Sequence, residues 1–156
     1  MEFTLNVSVN VTRKEAEYLA FAYRKQVEEG DRVTTTTMAK TFDITAAAVT
    51  ESFQKLAEKN LVEYTPYYGI RLTEKGTAEA RRFLRKHRLL ETLFVRFMKY
   101  APMEACDEAS KIDYYCSEAL ANNICSTYNH PAQCPCNKQI YTGPDCKDEK
   151  KTPRVD

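Results

Sequence analysis

The residues best suited to chemistry lie in the second half of the 156-residue chain. His87 and Glu91 stand four apart in RKHRLLE, on one face if that stretch is helical. An imidazole and a carboxylate so spaced can hold a metal ion together, and the same spacing suits a structural histidine hydrogen-bonded to the carboxylate. Cys106, Ser110 and Asp113 follow at i, i+4 and i+7 with Tyr114 adjoining, a second row of polar groups on one helical face. Cys125, Cys134, Cys136 and Cys146 then crowd a stretch broken by prolines, with eight, one and nine residues between them. Those intervals match neither a zinc ribbon nor a ferredoxin run, yet a loop can gather four thiolates around zinc or an iron–sulfur cluster. Reduced thiols sharing no site are the plainer reading. His130, beside Pro131, reads as a loop residue, with metal ligation its second reading. Cys116 reads as a small buried hydrophobe.

Helices must position these groups. Thr73 caps a helix expected to run to about Tyr100, with a buried stripe of Ala80, Phe83, Leu84, His87, Leu90, Phe94 and Phe97 at helical spacing. It is apolar beyond what one small domain covers, which argues for a dimer interface. A further helix from Pro102 carries the packing stripe Ala105, Ala109, Ile112, Cys116 and Leu120. Upstream, Thr34 to Thr73 reads as helix, turn, helix and hairpin, the outline of a winged helix-turn-helix that sets its second helix in the major groove of DNA. Met38, Ala39 and Phe42 face inward from the first helix, Asp43-Ile44-Thr45 makes the turn, and Val49, Phe53 and Leu56 form the inner stripe of the second. Thr45, Ala47, Ala48, Thr50 and Glu51 are then the face offered to bases, with Lys55 and the wing residues Tyr68 and Arg71 at the phosphates. Before this unit, Thr12 and Glu15 form a capping box that opens a supporting helix, with Glu17 beside its apolar stripe. Residues 3–11 alternate apolar and polar, the pattern of a half-buried strand.

Hydrophobic residues at 43% and charged residues at 29% belong to an ordinary globular protein. No apolar run approaches the roughly 18 residues of a membrane helix, and no signal peptide opens the chain, so a cytoplasmic protein with reduced cysteines and no membrane partner is expected. The net charge of +1 conceals a basic cluster, Arg81 to Arg88, followed by acidic Glu104, Asp107, Glu108, Asp113 and Glu118. Such a division suits a DNA-facing part joined to a cation-binding part, or simply a solvated helix face. With four glycines there is no phosphate-cradling loop, and no nucleophile motif occurs, so no enzyme is expected.

The run from Glu17 to Leu120 resembles the DtxR/MntR family of metal-dependent transcriptional repressors. The resemblance is carried by EYLAFAY, MAKTFDITAAAVTESFQKLAEKNLVEYTPYYGIRLTEKG, RKHRLLE and DEASKIDYYCSEAL. It implies a mainly α fold with a small β wing: a winged helix-turn-helix (1–75), then a helical dimerisation and sensing domain (76–147) and a charged tail (148–156). It also implies divalent metal, iron or manganese, locking a homodimer onto a palindromic operator in double-stranded DNA. His87 and Glu91 match two ligands of the family's ancillary site, and Cys106 stands at the third. Glu17 matches the first-helix ligand of the primary site, whose later cluster falls on Ser110, Asp113 and Tyr114. Of these only Asp113 is a good donor to a hard cation. The family's Cys-Pro-His-Gly segment becomes Cys134-Pro135-Cys136-Asn137.

The expected protein is therefore a homodimeric DNA-binding regulator, a repressor answering to metal through His87, Glu91 and Cys106 with Glu17 and Asp113 helping. One alternative keeps the DNA reader and moves sensing of an iron–sulfur cluster, zinc or thiol redox state to Cys125, Cys134, Cys136 and Cys146. Another is a winged-helix protein-interaction scaffold, suggested by the weakly basic recognition helix.

Overall fold

At Thr12 the side-chain oxygen accepts the Glu15 amide at 3.3 Å, while the Glu15 carboxylate accepts the Thr12 amide at 2.8 Å. This reciprocal capping satisfies two orphan donors and starts helix α1 (Arg13–Tyr23). The computed structural model describes residues 10–143 and residue 146. Apart from Asn10 and Val11, the strand expected over residues 3–11 lies outside the described residues, as does the tail 148–156. The chain divides into two compact units, the first closing at Ala80 and the second opening at Arg81.

In the first unit α1 runs on into a π-helical turn, Arg24–Glu28, which stops before Gly30 at φ +74°. Helix α2 (Thr35–Phe42) is capped by Thr34 and ends at Asp43, whose left-handed backbone makes the turn. Thr45 then accepts the Ala48 amide at 3.2 Å and opens helix α3 (Ala46–Glu58). Left-handed Asn60 redirects the chain into strand β1 (Val62–Thr65), paired antiparallel with β2 (Gly69–Leu72) so that Val62 faces Leu72. Leu19, Tyr23, Met38, Val49, Phe53, Leu56 and Leu61 are all at most 1% exposed and form the core. Each such side chain contributes about 1.5–3 kcal/mol on burial. Gly69 (φ +94°) is required where β2 crosses residue 33, because a Cβ there would lie 2.0 Å from the Val33 carbonyl oxygen. Gln26 bonds both Ile70 and Leu72 of β2, occupying edge groups that would otherwise invite another strand.

Thr73 caps helix α4 (Glu74–Arg96) by accepting the Gly76 amide at 3.0 Å. The helix stops four residues short of the expected Tyr100. Left-handed Lys99 reverses the chain, and the Tyr100 amide bonds back to the Phe94 carbonyl. Phe97, expected on the buried stripe, lies beyond the helix end and is 76% exposed.

In the second unit helix α5 (Pro102–Ile112) gives way to a 3-10 turn at Asp113–Tyr115, and helix α6 (Glu118–Thr127) restarts behind the Ser117 cap. The break overturns the continuous stripe expected through Ile112 and Leu120, which are exposed, while Ala105, Ala109 and Cys116 are buried. Leu89, Leu90, Ala109, Ala121, Ile124, Cys125, Cys134 and Ile140 form the core of this unit. The basic cluster is not a continuous surface patch. Arg85 and Arg88 are at most 2% exposed, Arg88 donates to the Gln139 carbonyl, and Arg82 and Lys86 pair with Glu118. Arg85 and Arg88 serve this unit's interior, while Arg81 and Arg82 remain exposed.

Candidate metal centre and DNA-facing helix

His87, on the second half of α4, is 4% exposed, and every polar contact of its ring is with chemistry-bearing groups. Nδ1 lies 2.9 Å from Asp113 Oδ2, and Nε2 lies 3.1 Å from Glu91 Oε1 and 3.5 Å from Cys106 Sγ. Helical spacing alone brings Glu91 to the ring, whereas Cys106 arrives from α5. Asp113 turns inward because the 3-10 turn follows the end of α5, and its Oδ1 accepts the Tyr114 amide at 2.7 Å.

Burial opposes a charge on His87, but Asp113, Cys106 and Glu91 together raise its pKa from 6.5 to about 10. Burial likewise works against the Glu91 carboxylate, yet His87 holds its pKa below the usual range. The centre is thus two buried carboxylates around one imidazolium, an excess of one negative charge suited to a cation. Among the described residues, Glu91 Oε2 is buried without a hydrogen-bond partner. Ligand atoms of His87, Glu91 and Cys106 all lie within 4.8 Å of one another, and one nitrogen, one oxygen and one sulfur donor suit a borderline divalent ion. The residues present fit a metal.

Asp113 stands on the opposite ring nitrogen from Glu91 and Cys106. That is the position of a carboxylate that orients a ligating histidine and raises its basicity, rather than of a ligand sharing the Nε2 face. Ser110 faces away, its hydroxyl donating to the Asp107 carbonyl. Glu17 belongs to the first unit, where it accepts from Arg13 Nε at 3.0 Å.

The four C-terminal cysteines do not converge. Cys134 is buried beside Glu91, its thiol pushed up to about 11 by burial and then by that carboxylate. The Cys134 amide bonds the Lys138 carbonyl at 2.9 Å, and this tight turn leaves Cys136 exposed. Cys125 meets Cys146 elsewhere, at 3.5 Å. The expected four-cysteine cluster is corrected on this point: one residue between Cys134 and Cys136, within a tight turn, sends their side chains to different surroundings. Sequence spacing concealed both the approach of Cys134 to Glu91 and that of His130 to Cys125 and Cys146.

In the first unit Thr45, Ala47, Glu51 and Lys55 are exposed along one face of α3, with Ala48 and Thr50 half-buried. Exposed Gln54, one turn beyond Thr50, belongs to the same face and was missed. Lys55 is held by Glu51 at 2.6 Å, and on the wing Arg71 pairs with Glu63 at 2.9 Å beside exposed Tyr67 and Tyr68.

Comparison with known proteins matches each half separately. Residues 10–70 match the iron-dependent repressor N-terminal DNA binding domain, and residues 73–142 match the metal binding and dimerisation domain of the same repressors. The chain belongs to the iron-dependent repressor family. It is 34% identical over 108 residues to an uncharacterized HTH-type transcriptional regulator of Methanocaldococcus jannaschii, covering 69% of this chain and 86% of that one. The iron-dependent repressor IdeR of Mycobacterium tuberculosis is 27% identical over 113 residues, 72% of this chain and 49% of its own length. A solved manganese-dependent transcriptional repressor, in complex with manganese, superposes with a TM-score of 0.75 at 32% identity, covering 83% of this chain and 59% of that one. This family member therefore spans about half the length of IdeR. The family is one of metal-dependent transcriptional repressors, and the fold of this chain is the winged helix with a helical dimerisation domain. Among the described residues, no helix is long and apolar enough to cross a membrane.

Proposed function

We propose that this protein is a homodimeric, cytoplasmic repressor whose affinity for a palindromic DNA operator is set by iron(II) or manganese(II) bound at His87, Glu91 and Cys106. The observation that carries this reading is the buried, unpartnered Glu91 Oε2 beside the imidazole and the thiol. When bound, the ion supplies positive charge that draws three side chains from two helices together. His87 presents Nε2 to it while Asp113 keeps the Nδ1 proton, and Cys106 is held as the thiolate. An ion held there would displace the extra imidazolium proton and the Cys106 thiol proton, and would shift the population toward DNA-competent dimers. Thr45, Ala47, Ala48, Thr50, Glu51 and Gln54 read the groove, while Lys55, Tyr68 and Arg71 contact phosphates. Phe97, Met98 and Met103, exposed around the turn between α4 and α5, supply apolar surface for the dimer.

The test is operator binding measured with and without manganese or ferrous iron, for the natural protein and His87→Ala. The natural protein should tighten with metal, and the variant should not. An unchanged metal response in the variant would overturn the reading.

A further inference from the structure

Helix α6 ends in a Schellman motif. The His130 amide bonds the Cys125 carbonyl at 2.8 Å and the Asn129 amide bonds the Ser126 carbonyl at 3.0 Å, with Asn129 and His130 both left-handed (φ 58° and 51°). In this motif the residue at the His130 position folds back over the one at the Cys125 position, a contact that is ordinarily hydrophobic. Here it joins an imidazole to a thiol: His130 Nδ1 is 3.4 Å from Cys125 Sγ. Cys146 closes the triangle, 3.1 Å from Nδ1 and 3.5 Å from the Cys125 sulfur. Around a tetrahedral ion with bonds near 2.3 Å to sulfur and 2.0 Å to nitrogen, such edges would measure about 3.5 Å between nitrogen and sulfur and about 3.8 Å between the sulfurs. Small outward shifts of three side chains suffice.

The surroundings are built for negative charge. Arg85 is 2% exposed, and among the described residues none of its three guanidinium nitrogens has a hydrogen-bond partner. Its guanidinium pairs with Glu118 at 3.7 Å. A Cβ on Gly143 would lie 2.7 Å from the Arg85 Cζ, so a side chain there would have to displace the guanidinium. The Cys125 thiol is pushed up by burial and by Cys146, while the guanidinium pulls it down. A buried cation is costly unless well paired; Glu118 is shared with Arg82 and Lys86, and ionising this cysteine pair adds negative charge beside the guanidinium.

We infer that Cys125, His130 and Cys146 form a second metal site, separate from the His87 centre, which takes a soft thiophilic ion, Zn2+ or Cu+. Two thiols and a neutral imidazole bind the ion and release two protons. Thiolates select both ions over manganese or magnesium. The guanidinium offsets part of the thiolate charge before the ion binds, and Glu118, shared by Arg82, Arg85 and Lys86, adds a further negative charge. Either ion pins the segment after α6, the same segment that sets Cys134 beside Glu91.

The test uses the full chain under anaerobic, reducing conditions, in a His87→Gln/Cys106→Ser background that disables the first centre. Zn2+ and Cu+ are each titrated against a chromogenic competitor, with proton release recorded. The background protein should hold one equivalent of one of these ions and release two protons. Adding Cys125→Ser or His130→Ala should weaken binding by more than about 100-fold, beyond the loss usual for a group behind a ligand, with an unchanged helical circular dichroism spectrum. His130 is only half-buried, so its replacement spares the core should Cys125→Ser fail to fold. Equal affinity in the background and both added variants would overturn the inference, as would a Cys125–Cys146 disulfide persisting under these conditions.

Discussion

The two units solve opposite problems with the same kind of helix. In the first, α3 buries Val49, Phe53 and Leu56 completely and turns small and polar side chains outward, so the face proposed to read DNA is its solvent face. In the second, α4 buries its working groups: Arg85, His87, Arg88 and Glu91 are at most 4% exposed. An exposed face tolerates substitution without cost to the core, whereas a buried set of charges must be balanced by name. The DNA reader is therefore stable through its apolar stripe, and the metal centre only through mutual satisfaction of its polar groups.

The sharpest way to break this comparison is to remove one member from each interior. Phe53→Ala should cost about 3–5 kcal/mol by opening a cavity. His87→Ala should cost a similar amount, about 3–5 kcal/mol, for a different reason, since Glu91 and Asp113 become buried carboxylates without a counter-charge. Urea denaturation of the metal-free protein separates the causes: low pH should rescue the histidine variant by protonating the carboxylates and leave the phenylalanine variant unrescued.

Next in size is a pH effect confined to the second unit. Because the folded His87 pKa is raised from 6.5 to about 10, its stabilisation is fully present below pH 6.5 and lost as pH climbs toward 10. The folding constant of the metal-free protein should fall by up to about tenfold per pH unit in that window, and His87→Gln should flatten the slope. Metal affinity should move the other way, rising with pH as the competing proton becomes easier to expel. A metal-free protein whose stability ignores pH across this window would contradict the buried pairing.

The smallest effects belong to the exposed face. Lys55→Ala should leave the denaturation midpoint unchanged while reducing the slope of log DNA affinity against log salt by about one. Gln54→Ala, if that residue touches a base edge, should lower affinity for the operator more than for unrelated DNA. A loss of stability in either variant would mean that the α3 face is not the free surface described.

From the sequence alone, the first unit was legible nearly element by element. Caps at Thr12, Thr45 and Thr73, turn residues at Asp43 and Asn60, and apolar spacing along α3 are local signals, each acting within a few residues. The His87–Glu91 pair was legible for the same reason, being one helical turn. What depended on tertiary structure was everything set by chain reversal. Lys99 ends α4 and puts Phe97 in solvent, and the turn at Asp113 sends that carboxylate to the far nitrogen of His87. The tight turn after Cys134 parts it from Cys136, and the end of α6 folds His130 onto Cys125. Arg85 and Arg88 looked like surface charge because burying a guanidinium requires partners remote in sequence, and no local pattern reports them. Periodicity determines which side of a helix is apolar; only the folded chain decides which distant groups arrive at the other side.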